Sequence, residues 1–346
     1  MTTPPASPAP RASPATPARQ ARRRSRRADE PAVFVSQEGG GEPPRVFDFA
    51  ARAIARAAMR LPRYSWIRLF TRPLRRMARE AGAQYLRIPT ADGAALDVAH
   101  FPPQPAGACP PPSRLPVIYA HGWIEVKEVH LREAMLLSRA GHHVLLVDLR
   151  AHGRSDGRAM RFGIRERHDL VAVIDACIEQ GWTDRRVITM GFSLGGAVVL
   201  QHAGMDDRVA GVVAMAPFAD ARRCIRSFKR RWLPRGGAAW LERGFEQVVG
   251  ADGHSLDEAS PLEVMRRLAI SVLLVAGDRD RLLPPRDHAA ALRACRDDGR
   301  CEYVHVPGAG HNDLCVHRWP GVDEAVVRFC ARVSQRAAEE EGEPGS

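Results

Sequence analysis

The 346-residue chain has no stretch approaching the about 18 uninterrupted apolar residues that a membrane-spanning helix needs. Its cysteines, Cys109, Cys177, Cys224, Cys295, Cys301, Cys315 and Cys330, are odd in number, irregularly spaced and without a C-x-x-C pair. That pattern suggests neither a disulfide framework nor a zinc site, so no metal or other cofactor is expected and a reducing cytoplasm is the natural setting. The Arg-rich run from Arg22 to Arg27 is not followed by an apolar stretch, so neither a secretory nor a twin-arginine signal is read. Lysine is almost absent, the cations being nearly all arginine.

What is present is an ordinary globular composition, 45% hydrophobic and 26% charged, with an unusual formal charge of +11. The excess is confined to residues 1–90, where 18 Arg face 6 acids; the remainder holds 33 Lys and Arg against 34 acids. A nearly neutral main segment, and an arginine run not interleaved with aromatics, argue against a nucleic-acid partner.

Residues 1–45 are rich in Pro, Ala, Ser, Thr and Arg with few side chains able to pack, and are expected to be disordered. Over 46–82 a basic amphipathic helical segment is predicted. Phe47, Ala50, Ile54, Ala57 and Leu61 recur at helical spacing, Arg52, Arg56 and Arg60 form another stripe, and Pro62 and Pro73 divide the segment into two or three short helices. Two readings stand side by side: a helix lying on the main domain, or a basic interfacial helix making peripheral contact with anionic membrane.

From 83 to 336, short apolar runs at Val117–Tyr119, Val144–Val147, Val187–Met190, Val209–Met215, Val272–Val275 and Tyr303–Val306 alternate with helix-length segments. This repetition predicts an α/β fold, a mostly parallel sheet of about eight strands covered on both faces. Leu86–Ile88 and Leu96–Phe101, joined through Asp92-Gly93, predict an antiparallel hairpin at the sheet edge. An insertion at about 219–260 has no strand-like run and reads as a small helical lid, with Trp232 and Trp240 as candidate substrate contacts. Residues 337–346 read as an acidic flexible tail.

The pattern G-x-S-x-G occurs at Gly191–Gly195 and at Gly153–Gly157. Ser193 follows a strand-like run and precedes a helix opening, the context in which a strained turn exposes a serine hydroxyl beside a helix N-terminus. Ser155 has no helix directly behind it and reads as loop. A serine needs a base, and the base a carboxylate. His311, on a glycine-supported loop after the last strand, suits the first role better than His142, His143, His202, His305 or His317. Asp280, three residues beyond Gly277, suits the second; Asp278 reads as a turn cap. Backbone N–H groups of Leu194 and Trp123 are the candidate oxyanion donors, and His121 reads as a buried structural imidazole.

With these motifs in order, residues 85–335 resemble the α/β-hydrolases, most closely the branch containing serine aminopeptidase-like, monoglyceride-lipase-like and prolyl-oligopeptidase-like enzymes. The loop Asp148–Ser155 carries part of that likeness, with Ala151 where those proteins often have glycine. The resemblance implies Ser193 as nucleophile, Asp280 as acid, His311 as base, and Leu194 and Trp123 as oxyanion donors. Serine rather than aspartate at the turn argues against haloalkane-dehalogenase and epoxide-hydrolase chemistry. The expected activity is cleavage of a small-molecule carboxylic ester through an acyl-enzyme. A thioesterase or small-peptide hydrolase, and a non-catalytic membrane-surface or partner-binding module, are the alternatives.

Overall fold

The computed structural model describes residues 45–64, 69, 71–104, 115–232, 237–296, 298–317 and 319–342; the expected N-terminal tail therefore lies outside the described residues apart from its last position. Two helices come first, α1 (Arg45–Tyr64) and α2 (Thr71–Glu80), followed by strands β1 (Gln84–Pro89), β2 (Ala95–Phe101) and β3 (Val117–Ala120). Next come α3 (Leu131–Arg139), β4 (Val144–Val147), α4 (Glu166–Glu179), β5 (Val187–Phe192), α5 (Leu194–Ala203) and β6 (Val209–Met215). Helices α6 (Ala221–Trp232), α7 (Gly237–Gly250) and α8 (Pro261–Met265) separate β6 from β7 (Ser271–Gly277). The chain continues through α9 (Ala289–Ala294), β8 (Cys301–Val306), α10 (Asp313–Val316) and α11 (Pro320–Gly342).

The eight strands form one sheet in the order β1-β2-β4-β3-β5-β6-β7-β8. Strands β1 and β2 pair antiparallel, as do β2 and β4, and every later pairing is parallel. The hairpin at the edge closes as its Asp92-Gly93 step predicts: the Thr90 N–H donates to the Ala94 carbonyl at 2.7 Å, and Gly93 takes φ +82°. Every residue of β3, β4, β5 and β6 is buried, which is why these strands read as continuous apolar runs instead of alternating ones.

Successive strand residues feed two cores. Ile118, Ala120, Leu145 and Val147 face one side, together with α4, α5, the β6–β7 insertion and α1. Val117, Tyr119, Val144 and Leu146 face the other, with α3, α11 and Ala78 of α2. The two N-terminal helices thus contribute to opposite cores, and the insertion is helical.

Three expectations are corrected. The face of α1 buried on the domain is Ala51, Ala55 and Met59, not the broader stripe through Ala50, Ile54, Ala57 and Leu61, of which Ile54 and Leu61 remain 50% and 43% exposed. A small side chain is needed at Ala51 because α1 meets α7 closely there: a Cβ on Gly244 would lie 2.4 Å from the Ala51 carbonyl oxygen. Second, Pro62 does not end α1 but occupies its last turn, where the missing N–H costs one intrahelical bond. Third, residues 337–342 are not a flexible tail: α11 continues to Gly342, with Ala337 buried and Glu340 ion-paired to Arg186; 343–346 lie outside the described residues.

Lys127, one of two lysines in the chain, is buried beneath the β1–β2 edge. Its ammonium lies 2.8 Å from Asp97, 2.7 Å from Asp148 and 3.3 Å from Glu128. Burial opposes its charge, but the three carboxylates outweigh burial and raise its pKa. Burial likewise pushes the Asp148 carboxyl up, and the charges of Lys127 and the hydrogen bonds it receives outweigh that, holding it at about 2. Arg75 of α2 joins through Asp97 and lies 3.5 Å over the Tyr85 ring, so the cluster ties α2 to the sheet. Lys127→Met should lower the unfolding free energy by about 3–5 kcal/mol in denaturant titration, because it leaves the buried Asp148 carboxylate without its cation. A loss below about 1 kcal/mol would show that the cluster does not anchor this edge.

Candidate active site

The turn from β5 into α5 places Ser193 at φ +53° and ψ −113°, a conformation that side-chain-bearing residues rarely adopt. The surrounding glycines make it possible. A Cβ on Gly195 would lie 2.0 Å from the Ala120 carbonyl oxygen of β3, and one on Gly191 would lie 2.4 Å from the Gly195 backbone. The Ser193 N–H donates to the Met215 carbonyl at 2.8 Å, fastening the turn to β6.

His311 and Asp280 arrive from the loops after β8 and β7. Those loops touch backbone to backbone, since a Cβ on Gly277 would lie 2.3 Å from the Ala309 carbonyl oxygen. His311 Nδ1 is 2.6 Å from Asp280 Oδ2, and His311 Nε2 is 2.8 Å from Ser193 Oγ. The carboxylate can only accept, so Nδ1–H donates to Asp280 and Nε2 is left to accept from the Ser193 hydroxyl. Asp280 is itself held by the Leu282 and Leu283 N–H groups, at 2.9 and 2.7 Å on Oδ1. Asp278 instead accepts the Gly308 N–H at 2.7 Å, the turn-capping arrangement.

The other candidates are occupied elsewhere. His202 bonds the Arg167 carbonyl at 2.8 Å, and burial pushes its pKa down to about 4. His317 is exposed beside Asp313. Ser155 donates to the Asp148 carbonyl and accepts the Asp97 N–H, so the second G-x-S-x-G serine supports the loop structure. Ala151 in that loop has φ +66°, the left-handed geometry that favours glycine at this position in the proteins it resembles.

Leu194 is the first residue of α5, so its N–H has no intrahelical acceptor, and with Trp123 it lines the cavity beside Ser193. His121 is buried: its Nε2 accepts the Leu149 N–H at 3.1 Å, so the Nδ1 proton donates to the Gly122 carbonyl at 2.7 Å. Burial lowers its pKa, in keeping with a neutral structural imidazole.

Sequence reasoning missed the group that fixes the turn carrying Trp123. Glu125 accepts the Gly122 N–H at 2.7 Å and lies 3.1 Å from His130 Nε2, while His130 Nδ1 lies 2.9 Å from the Tyr119 hydroxyl. Tyr119 and His130 are fully buried, so this is a hydrogen-bonded chain within the interior. Between its ends Ile124 adopts φ +65°, a costly conformation for a β-branched residue that the flanking bonds hold in place. No spacing pattern joins residues 119, 125 and 130; only strand β3 and the turn at Lys127–His130 bring them together.

A cavity of about 180 Å³ opens from Ser193. Its walls are apolar: Ile54 and Ala58 of α1, Phe162, Phe218, Leu282 and Leu283 of the domain, and Cys224, Ile225, Leu241 and Phe245 of the insertion. Ser193 supplies the only hydroxyl among the described lining residues. Trp240 is not among them, its neighbour Leu241 being turned to the cavity instead, and the side chain of Trp232 lies outside the described residues. Burial pushes the Cys224 thiol up, which keeps it protonated and unreactive. Among the described residues no group of three or more His, Cys, Asp or Glu is placed to hold a metal ion.

Residues 117–329 match the alpha/beta hydrolase family, and the chain belongs to it. Among curated proteins it is 27% identical over 233 residues to an uncharacterised protein of Mycobacterium tuberculosis, covering 65% of this chain and 71% of that one. It is 28% identical over 173 residues to the uncharacterised protein YqkD of Bacillus subtilis, covering 49% and 56%. Among solved structures, the Pyrococcus furiosus esterase Pf2001 superposes with a TM-score of 0.59 at 20% identity, over 74% of this chain and 93% of that one. A Mycobacterium tuberculosis puromycin-hydrolyzing peptidase gives 0.56 at 20% identity, over 73% and 39%. At such identities the structural likeness speaks for the fold.

The His311–Asp280 geometry has a direct readout. The Nδ1 proton should give a strongly deshielded proton resonance that disappears in Asp280→Ala and persists in Asp278→Ala. Loss of the signal in Asp278→Ala alone would reverse the assignment of the two carboxylates.

Proposed function

We propose that the protein is a serine hydrolase that cleaves a carboxylic ester through an acyl-enzyme. The observation that carries this reading is the continuous chain Asp280–His311–Ser193, with links of 2.6 and 2.8 Å, opening onto an apolar cavity. Ser193 Oγ attacks the acyl carbon while its proton passes to His311 Nε2. Asp280 keeps the imidazole in the required tautomer and stabilises its cation. The oxyanion forms against the Leu194 and Trp123 N–H groups, and the leaving alcohol takes the proton back from His311. Water then attacks the acyl-enzyme with His311 again as base, and the acid is released.

The cavity favours an acyl chain over a peptide. Its described lining holds no carboxylate or cation to fix an amino acid's charged ends, and an apolar cavity of about this size accepts a benzene-sized group, which suits a short to medium chain. Glu125, His130 and Tyr119 act through the turn they hold and are positioning residues in this scheme.

A fluorophosphonate probe and a panel of p-nitrophenyl esters of increasing chain length test the reading together. Wild type should be labelled and should show an optimum at short to medium chains. Ser193→Ala should lose labelling and at least about 10⁴-fold in kcat. Leu241→Trp, which narrows the cavity, should move the optimum to shorter chains with labelling retained. Persistent labelling of Ser193→Ala would exclude this nucleophile.

A further inference from the structure

The residues of α1 fall into rows along the helix, successive members of a row lying about one turn apart. Ala51, Ala55 and Met59 pack on the domain. The next row is Arg52, Arg56 and Arg60, all exposed, and among the described residues none of them has an ion-pair or hydrogen-bond partner. Some arginines elsewhere are engaged, Arg222 for example bonding Glu242, Glu246 and Asp257, but the α1 row sets three cations without partners side by side on one helix face. The row after that is Phe49, Ala53, Ala57 and Leu61, also exposed, with Phe49 at 76% and Leu61 at 43%. The last row, Ile54 and Ala58, lines the cavity that leads to Ser193. Ile54 is half exposed and lines the cavity at once, so the cavity mouth lies along the edge of this face.

An outward apolar row flanked by unpaired cations is the pattern of a helix that lies in an interface plane. Phe49, Ala53, Ala57 and Leu61 make a continuous exposed row instead of isolated surface side chains, and a contiguous apolar patch marks an interaction surface. We propose that this face of α1 docks on an anionic lipid bilayer, with Phe49 and Leu61 entering the headgroup and acyl boundary and the three arginines on lipid phosphates and carboxylates. No described helix is long and apolar enough to cross a membrane, so the contact is peripheral. The charge complement argues for this occupant over a second copy of the chain, whose own α1 would bring like charges together. Resting on the hydrolase reading, the docked orientation puts the cavity mouth at the membrane surface, where lipid esters would enter without crossing water.

Binding is tested apart from catalysis, in full-length Ser193→Ala protein, by co-sedimentation with phosphatidylcholine vesicles with and without phosphatidylserine. The tail arginines are then common to all variants. Binding should require phosphatidylserine, and Arg52→Gln/Arg56→Gln/Arg60→Gln should weaken it about 100-fold. Phe49→Ser/Leu61→Ser should weaken it at least tenfold and leave a remainder that added salt removes, about the loss expected for two partly inserted side chains. In the active protein, the arginine triple variant should hydrolyse soluble p-nitrophenyl butyrate like wild type and lose activity only on vesicle-embedded esters. Wild-type binding by either variant overturns the proposal. So does a loss of DNA binding in the arginine variant with no effect of Phe49→Ser/Leu61→Ser on vesicles, or a dimer that Phe49→Ser dissolves. Vesicle binding that behaves as described, in a protein without esterase activity, would leave the docking surface standing and refute the hydrolase reading.

Discussion

The site depends on a backbone contact that no side chain could make. Gly195, at the start of α5, sits so close to the end of β3 that any Cβ would overlap the Ala120 carbonyl. That approach locks together the turn bearing Ser193 and the turn bearing Trp123, which leave neighbouring parallel strands side by side. The strained φ and ψ of Ser193 follow from it, and the buried Tyr119–His130–Glu125 chain braces the second turn from behind. The enclosing parallel sheet, buried on both faces, supplies the packing energy against which such strain can be held.

Much of this was legible because it rests on local rules. Glycines flanking a serine between a strand-like and a helix-like run encode the turn, and the placement of Asp280 past Gly277 distinguishes it from the turn-capping Asp278. Continuous apolar runs marked the central strands. What stayed hidden depends on contacts between distant segments. Periodicity shows that 46–64 is helical but not which row is buried, and the choice was made by Gly244 in a helix almost two hundred residues later. Trp240 is a candidate substrate contact by sequence, yet one residue is about 100° of helix rotation, and Leu241 occupies the cavity side. The acidic composition after Ala337 suggested a free tail, whereas Ala337 is buried and Glu340 is paired with Arg186.

The charge distribution acquires a structural meaning from these contacts. The N-terminal segment is not simply appended to the hydrolase domain. Helix α2 is tied to the buried Lys127 cluster through Arg75, and α1 supplies two residues of the cavity wall. Helix α1, with its row of arginines, therefore borders the cavity that opens at Ser193.

If Ser193 is the nucleophile, an acyl group becomes covalently attached to it during turnover. Acid-quenching the enzyme while it processes a slowly deacylated p-nitrophenyl ester, followed by intact-mass and peptide analysis, tests it most directly. A mass gain equal to the acyl group is expected, carried on the peptide containing Ser193 and missing in Ser193→Ala. Turnover with no adduct, or an adduct on Cys224 or Ser155 instead, would contradict it.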